Sequence, residues 1–257
     1  MKIVVIGATG CVGEKLVHAL RRDGAVVVEA SPSRGVNTVT GEGLDRALRD
    51  VEVVVDVTNS PSLEGSAPVA FFETSGRRLL AAGRAAGVRH HLALSIVGTD
   101  GLQAIGYFQA KKIQEDLIRE SGIPYSIVRS TQFFEFIAGV VQDGEAYDVA
   151  ISPALAQPIS RLEVAEVLAE LAAGEPLNGT VEVAGPERFR LCDVATEVLT
   201  AYEDPRRVIE DPGAPYFGAE LTDQALLPGS GARVGALRFE DWLRQRLEYE
   251  PPNRATA

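Results

Sequence analysis

Residues 3–13 read IVVIGATGCVG. The first four, Ile3–Ile6, are all apolar and β-branched, which predicts a strand buried on both faces of a parallel sheet. Three glycines follow, and apolar residues then recur at helical spacing over positions 12–20. This stretch therefore predicts a strand, a glycine-rich turn and a helix in immediate succession.

A strand, a glycine turn and a helix together suit the pyrophosphate of a nucleotide. Glycines let backbone N–H groups approach the phosphates closely, and the N-terminus of the helix adds partial positive charge. The glycines stand directly after a strand and before a helix, which is the context that this motif requires. A purely structural turn is the alternative. The residues expected to contact the nucleotide are Gly7, Ala8, Thr9, Gly10, Cys11, Val12 and Gly13.

The glycines are spaced G-x-x-G-x-x-G, one residue longer in the first gap than the common G-x-G-x-x-G. With Ala8 and Thr9 inside it, GATGCVG resembles the loop of the short-chain dehydrogenase/reductase superfamily, in the version carried by its extended and atypical members. The resemblance implies an α/β Rossmann fold, with a doubly wound parallel sheet, and a nicotinamide cofactor.

The composition narrows the classes of partner. The chain has 257 residues and a formal net charge of −11, which argues against nucleic acid because nucleic-acid-binding surfaces are basic. No apolar run approaches the roughly 20 residues of a membrane span, and the first strand leaves no room for a signal peptide, so we expect a cytoplasmic protein without a membrane partner. The two cysteines are too few for a disulfide scaffold, and no residues have metal-ligand spacing.

The end of the second predicted strand indicates which nicotinamide cofactor is bound. The strand AVVVEA, residues 25–30, leads into Ser31, Ser33 and Arg34 without an acidic residue at its tip. Hydroxyls followed by a guanidinium suit a 2′-phosphate, because arginine pairs with phosphate through two charge-assisted hydrogen bonds. We therefore expect NADP(H). Glu29 keeps NAD(H) open as the alternative, since an acidic residue there binds the ribose hydroxyls of NAD.

The next segment predicts a short third strand over Val36–Thr40, a short helix over Leu44–Asp50 and a fourth strand over Val51–Val57. A polar loop follows that strand. Because ligands bind at the carboxyl ends of strands in an open α/β sheet, this loop is expected to pass beside the cofactor. Ordinary turn chemistry is the alternative. The loop residues concerned are Thr58, Asn59 and Ser60.

Three residues are candidates for catalysis. Ser95 closes the predicted strand Val88–Ser95, and Tyr107 and Lys111 stand four residues apart, hence on one face of a helix. Reduction of a carbonyl requires a proton donor beside its oxygen, and a phenol serves at neutral pH only where a nearby ammonium lowers its pKa. The Lys111 ammonium can also hold the nicotinamide ribose of the cofactor, and the Ser95 hydroxyl can orient the carbonyl and stabilise the developing oxyanion. Serine followed by Tyr-x-x-x-Lys is similar to the catalytic set of the same superfamily, in whose atypical members a lysine acts without the tyrosine.

Residues 120–136, ESGIPYSIVRSTQFFEF, resemble the NmrA-like, atypical branch of that superfamily, which includes NADPH-dependent quinone reductases and redox-sensing regulators. In those relatives the loop after the strand lies against the nicotinamide and the substrate. The resemblance implies that Ser130, Thr131, Gln132 and Phe133 line the cofactor. It also implies a substrate pocket walled by Phe134 and Phe136, to which Tyr216 and Phe217 of the later chain contribute; packing in the core is the alternative for these aromatic residues.

The predicted organisation is an NAD(P)-binding Rossmann domain over 1–146, a small C-terminal α+β substrate lobe over 147–250 and a flexible tail over 251–257. The expected function is an NADPH-dependent oxidoreductase that transfers hydride to a small aromatic or conjugated carbonyl or quinone. One alternative is a non-catalytic NADP(H)-binding regulator that senses redox state, and another is an NAD-dependent sugar-nucleotide epimerase or dehydratase. Both a monomer and a homodimer stay open.

Overall fold

The structure, a computed structural model, describes residues 1–63, 65–104, 106–142, 148–217 and 220–249. The tail predicted over 251–257 and the lobe boundary predicted at 146/147 lie outside these residues.

The chain forms two compact units, each made of two segments. Unit 1 comprises Met1–Ser130 and Arg161–Glu182, and unit 2 comprises Thr131–Ser160 and Val183–Ala257. This division differs from the predicted one because the chain returns to unit 1 after residue 160. Arg22 binds Glu166 through both terminal guanidinium nitrogens, at 2.8 and 2.7 Å, and so links the returning segment to the N-terminal one.

Unit 1 is built from alternating strands and helices. In chain order they are β1 (Lys2–Ile6), α1 (Gly13–Arg22), β2 (Val26–Ala30), α2 (Leu44–Ala47), β3 (Val53–Asp56), α3 (Ala67–Ala85), β4 (His90–Ile96), α4 (Gly106–Glu120), β5 (Tyr125–Ser130), the later helix α6 (Arg161–Ala173) and most of β8 (Gly179–Ala184). A 3-10 turn, Pro32–Arg34, follows β2.

Unit 2 is smaller and less regular. Its elements are α5 (Phe134–Gln142), β6 (Asp148–Ile151), β7 (Leu155–Ala156), β9 (Phe189–Arg190), α7 (Leu191–Ala201), β10 (Arg207–Glu210), β11 (Arg233–Val234) and α8 (Phe239–Tyr249). β6 pairs in parallel with β10, and β7 pairs antiparallel with β9. An aromatic cluster forms its core: the Phe134 ring lies 5.3 Å from that of Phe239 and 5.4 Å from that of Trp242, centroid to centroid.

The central sheet has seven strands in the order β11-β8-β5-β4-β3-β1-β2. β1 pairs in parallel with both β2 and β3, β3 with β4, and β4 with β5. β11 pairs in parallel with the last two residues of β8, Val183 and Ala184. The Rossmann-type α/β sheet predicted from the sequence is therefore confirmed. Its winding reverses between β1 and β3, and a crevice at the carboxyl ends of two such strands is where this class of sheet binds ligands.

The predicted strand over Val36–Thr40 is wrong. The backbone turns there instead, because the Asn37 side-chain oxygen accepts hydrogen bonds from the N–H groups of Val39 and Thr40, at 2.8 and 3.1 Å. Such an Asx turn uses the donors that a sheet ladder would need. The strand predicted as the fourth is consequently β3, the third strand of the chain.

Candidate cofactor and active site

The glycine loop between β1 and α1 has a conformation that other residues do not tolerate. Gly7 has a φ of +87°, in the region that favours glycine. A Cβ on Gly13 would lie 2.1 Å from the Gly7 carbonyl oxygen, and one on Gly10 would lie 3.2 Å from the same atom. The loop is thus closed on itself, and α1 begins in direct contact with it.

The same loop presents the start of α1 for binding. The helix begins at Gly13, and no side chain of a described residue caps its first turn. Thr9, Gly10 and Cys11 are exposed beside it, whereas the N–H groups of Gly7 and Ala8 are bonded to the Ala30 carbonyl. An uncapped helix N-terminus behind a glycine loop fits the pyrophosphate of NAD(P)H, through backbone N–H groups and the helix dipole.

The residues after β2 form a small polar cluster. The Ser31 and Ser33 hydroxyls are 3.0 Å apart. Arg34, whose side chain is 58% exposed, pairs with Glu29 at 3.2 Å, and Arg21 pairs with the other oxygen of the same carboxylate at 2.7 Å. Glu29 is therefore occupied by two guanidinium groups. Arg34 and Ser33 are exposed, whereas Ser31 is buried beneath them.

The loop after β3 is held by its own side chains. Asp56 accepts hydrogen bonds from the Thr58 N–H at 3.0 Å and from the Thr58 hydroxyl at 2.7 Å. The Ser60 hydroxyl donates to the Ser62 carbonyl at 2.6 Å. Of the three predicted loop residues, Asn59 is the exposed one, and its side-chain oxygen accepts from the Ser60 N–H at 3.0 Å.

Lys111 is a buried ammonium inside unit 1. Its side chain enters from α4, and Nζ donates to the Leu94 carbonyl of β4 at 2.7 Å and to the Gln114 side-chain oxygen at 2.6 Å. Gln114 in turn donates to Asp56 at 2.9 Å. Nζ also lies 4.3 Å from the centroid of the Phe72 ring, at a distance typical of a cation–π contact. Lysine 111 is thus connected by hydrogen bonds to the ends of two neighbouring strands, β3 and β4.

Burial moves the pKa values of the two predicted acid–base residues in opposite directions. Burial lowers the pKa of the Lys111 ammonium to about 8, against the opposing effect of the Asp56 and Glu115 charges. Burial raises the pKa of the Tyr107 hydroxyl to about 12, because a charged phenolate is disfavoured away from water. Tyr107 therefore does not show the lowered pKa that acid catalysis by a phenol needs at neutral pH, whereas Lys111 is a stronger acid than an ordinary lysine.

Ser95 belongs to a second buried network. Its hydroxyl donates to Glu115 of α4 at 2.6 Å. Glu115 is 1% exposed and forms ion pairs with Arg129 at 2.6 Å and with Arg119 at 2.8 Å. Burial alone would raise the pKa of Glu115, but the hydrogen bonds from Arg129 and Ser95 hold it below its ordinary value. The Ser95 proton is therefore engaged by a carboxylate within the protein.

Sequence reasoning missed Asp56, Gln114 and Glu115, although signals for them existed. Asp56 is a charged residue at the end of an otherwise apolar buried strand. Gln114 and Glu115 stand three and four residues after Lys111 on α4, which places them on the same face of that helix. A polar residue buried in the sheet needs a polar partner, and the helix face next to the lysine supplies it.

The loop after β5 divides between the two units. Ser130 ends β5 in unit 1, where its carbonyl accepts from the Val97 N–H at 2.9 Å. Thr131, Gln132 and Phe133 belong to unit 2, and their contact with the cofactor stays a prediction.

Unit 2 contains an apolar cavity of about 90 Å³. Phe136 and Tyr216, two of the four residues predicted for a substrate pocket, line it, and Phe217 stacks on Phe136 with ring centroids 5.6 Å apart. Phe134 differs from the prediction: it is fully buried in the aromatic core of unit 2, because its position on α5 turns it toward Phe239 and Trp242.

Comparison with known proteins agrees with the fold and the glycine loop. The profile of the NAD(P)H-binding family matches residues 7–175, and the chain belongs to this family, as an atypical protein of the short-chain dehydrogenase/reductase type. Its cofactor class is therefore NAD(P)H.

Two curated relatives and one solved structure are among the proteins similar to this chain. A (4-alkanoyl-5-oxo-2,5-dihydrofuran-3-yl)methyl phosphate reductase of Streptomyces griseus is 35% identical over 144 residues, 51% of this chain and 48% of the relative. A divinyl chlorophyllide a 8-vinyl-reductase of Cucumis sativus is 27% identical over 72% of this chain and 52% of the relative. The chain thus spans about half the length of these curated relatives. An NADPH-dependent quinone oxidoreductase of Escherichia coli, solved with NADPH, superposes with a TM-score of 0.64 at 20% identity, over 82% of this chain and 78% of that one.

Among the residues that the structure describes, no helix is long and apolar enough to cross a membrane. No group of three or more His, Cys, Asp or Glu side chains in the same part of the chain is arranged to hold a metal ion.

Proposed function

We propose that this protein is an NADPH-dependent reductase of a small carbonyl compound, with an aromatic or conjugated substrate such as a quinone or an enone. Membership of the NAD(P)H-binding family supports the cofactor. Both curated relatives described above are named as reductases, and the Streptomyces relative is named for an oxo-dihydrofuran substrate. These names support reduction as the class of reaction.

The cluster after β2 supports NADPH over NADH. Arg34 is exposed and directly follows Ser33 in the chain, so it can pair with a 2′-phosphate by exchanging its contact with Glu29. Glu29 keeps a second partner in Arg21. An NAD enzyme uses a carboxylate in this region for the ribose hydroxyls, and here that carboxylate is neutralised.

The lowered pKa of the buried Lys111 ammonium is the observation that carries the proposed chemistry. At neutral pH a group with a pKa of about 8 holds its proton at Nζ and still gives it up far more readily than an ordinary lysine does. When bound, NADPH supplies the hydride. Lys111 supplies the proton to the substrate oxygen. Gln114 links the lysine to Asp56 at the end of β3, and the Leu94 carbonyl holds it against β4.

Tyr107 and Ser95 have supporting roles in this proposal. The pKa of about 12 keeps Tyr107 protonated, and its ring packs edge-on against Phe72, with centroids 6.5 Å apart, so it shapes the wall around the lysine. Ser95 joins the end of β4 to α4 through Glu115. Its predicted role of orienting the substrate carbonyl stays a prediction.

The test is the oxidation of NADPH with menadione and with 2-cyclohexen-1-one, followed at 340 nm. We expect turnover by the wild-type protein and a loss of about 100-fold or more in kcat for Lys111→Met, the range for removal of a general acid. The matched control is Lys112→Met, which removes the neighbouring lysine from its partly exposed pair with Asp116 and should leave kcat within a few-fold. Tyr107→Phe should likewise leave kcat within a few-fold of the wild-type value. A Tyr107→Phe defect as large as that of Lys111→Met would refute the assignment of the proton donor.

A further inference from the structure

Glu115 of α4 is a buried carboxylate whose two oxygens each accept two hydrogen bonds. Its side chain is 1% exposed. Oε1 accepts from the Ser95 hydroxyl at 2.6 Å and from Nε of Arg129 at 2.8 Å. Oε2 accepts from Nη2 of Arg129 at 2.6 Å and from Nη2 of Arg119 at 2.8 Å. Such hydrogen bonds favour the ionised form, so Glu115 is a negative charge held in one orientation.

The donors Ser95 and Arg129 belong to two neighbouring strands. Ser95 of β4 and Arg129 of β5 are opposite each other in the parallel pairing, so their side chains stand on the same face of the sheet. Arg129 is also held on its other side, because Nη1 and Nη2 donate to the carboxylate of Asp100 at 2.6 and 3.2 Å. Glu115 therefore attaches α4 to both strands through side chains that are themselves fixed.

Lys111 attaches the preceding turn of α4 to the same part of β4. It stands four residues before Glu115, and hence on the same face of the helix. Its Nζ donates to the carbonyl of Leu94, the residue before Ser95, at 2.7 Å. Leu94 and Ser95 thus hold two successive turns of α4. A helix attached at one turn can still rotate or slide, whereas two attachments about 5.4 Å apart along its axis oppose both movements.

Stability alone does not account for a buried charge cluster of this kind. Removing a carboxylate and a guanidinium from water costs free energy that their attraction offsets only in part, and apolar side chains of similar size are often at least as stabilising. Apolar contacts would hold α4 on the sheet but have no preferred direction. The hydrogen bonds to Glu115 are directional, so they specify where α4 lies as well as holding it.

We propose that Glu115 is a positioning residue for Lys111, because it fixes the turn of α4 that carries the lysine against β4 and β5. This inference rests on the proposed reductase function, in which Lys111 donates the proton, and adds a residue to it. A displacement of about 1 Å at a reacting group costs about 100-fold in rate. The carboxylate also places a negative charge one helical turn from Nζ, and that charge favours the protonated lysine.

Other titratable groups around Lys111 bear on any test by titration. Asp56 of β3, reached through Gln114, favours the protonated lysine as Glu115 does. Burial lowers the pKa of His91 of β4 to about 4 and raises that of Tyr107 to about 12, so both are neutral between pH 6 and pH 10. The two guanidinium groups on Glu115 stay charged throughout this range.

The first test follows the proton on Lys111 in the intact protein without NADPH. Lysine labelled with carbon-13 at Cε is titrated by NMR, and the resonance missing from Lys111→Met identifies Lys111. The spectrum is simple because the chain has lysine only at Lys2, Lys15, Lys111 and Lys112. The wild-type resonance should titrate near pH 8. In Glu115→Gln, which keeps the size of the side chain and removes its charge, we expect the midpoint at a lower pH.

The matched control is Asp116→Asn, the same change at the next residue of α4. Asp116 is partly exposed and pairs with Lys112, so its loss should leave the Lys111 midpoint unchanged. Thermal unfolding verifies that each variant is folded. A Lys111 midpoint in Glu115→Gln equal to that of the wild type, or an equal shift in Asp116→Asn, would overturn the proposal.

A second variant separates position from charge. Glu115→Asp keeps the carboxylate but is one methylene shorter, so it cannot make all the hydrogen bonds of Glu115 at once. We expect its Lys111 midpoint to stay closer to the wild type than that of Glu115→Gln, and its kcat with menadione to fall by about 10-fold or more. Wild-type kcat in folded Glu115→Asp would overturn the proposal, and this variant provides the test even where Glu115→Gln does not fold.

Titration and turnover separate this proposal from the reductase function. A lower Lys111 midpoint in Glu115→Gln alone, in a protein that oxidises no NADPH, would contradict the reductase function and support the link between Glu115 and Lys111. Turnover of menadione by the wild type, with an unchanged midpoint in Glu115→Gln and an unchanged kcat in Glu115→Asp, would support the reductase function and contradict the positioning role.

Discussion

The buried ammonium of Lys111 makes a quantitative prediction for the stability of unit 1. Its pKa falls from 10.5 to about 8 on folding, and a difference of this size corresponds to about 3 kcal/mol. Between pH 8 and pH 10.5 the unfolded chain holds a proton on Lys111 that the folded protein has released. Stability therefore rises with pH in this window, by up to about 3 kcal/mol from this residue alone.

The prediction is tested with the Lys111→Met variant. Urea denaturation at pH 7 and at pH 10 gives the free energy of unfolding of the variant minus that of the wild type. The lost contacts with Leu94 and Gln114 lower the variant's stability by a similar amount at both pH values. Relative to the wild type, the free energy of unfolding of the variant should therefore be about 2 to 3 kcal/mol higher at pH 7 than at pH 10. Lys112→Met, whose ammonium is paired with Asp116 at the surface, is measured in parallel, and its effect is subtracted. A difference between the variants that does not change with pH would refute the claim that the ammonium is buried and destabilised.

Three further substitutions test other parts of the structure. Arg34→Ala should weaken NADPH by about 10-fold or more and leave NADH unchanged in fluorescence titrations, because only the 2′-phosphate loses a charged partner; equal losses would show that Arg34 does not read the phosphate. Gly13→Ala places a Cβ 2.1 Å from the Gly7 carbonyl oxygen, so NADPH binding should fall below detection while unfolding occurs at lower temperature, and wild-type behaviour would contradict the loop geometry. Ser95→Ala leaves Glu115 without one donor and should lower the free energy of unfolding by about 1 to 2 kcal/mol; no change would show that the hydrogen bond is not formed.

The first strand, the glycine loop and the first helix were predictable because each depends on local sequence. Apolar β-branched residues, glycines required by close backbone contacts and an amphipathic run all point to the same structure. The strand predicted over Val36–Thr40 does not form, because one side chain changes the local backbone. Valines and threonines favour a strand, but the single side chain of Asn37 captures two backbone N–H groups and makes a turn.

The candidate site was predictable by residue type but not by environment. The spacing of Tyr107 and Lys111 was visible in the sequence, and so was their shared helix face. Burial shifts both pKa values because it disfavours the charged form, which is the ammonium of Lys111 and the phenolate of Tyr107. That burial depends on packing among distant segments. The partners Asp56 and Gln114 come from positions 58 residues apart, and a single sequence gives no spacing rule for such a pair.

The division of the chain into two units could not be predicted from local sequence, for a similar reason. The segment 161–182 follows a part of unit 2 in sequence but belongs to unit 1 in space. Its helix α6 is largely apolar and six of its residues are buried. The sequence of the helix does not say which unit it packs against, and in the structure it lies against α1 and the strands of unit 1.

The role of Lys111 as the proton donor is tested by the pH dependence of kcat for NADPH oxidation with menadione, from pH 6 to pH 9.5, in the wild type and in Lys111→Met. We expect that kcat of the wild type falls as pH rises through about 8, where Lys111 loses its proton, and that the variant has a low kcat without this fall. A wild-type kcat that stays constant through pH 8, or the same fall in the variant, would contradict Lys111 as the proton donor of an NADPH-dependent reductase.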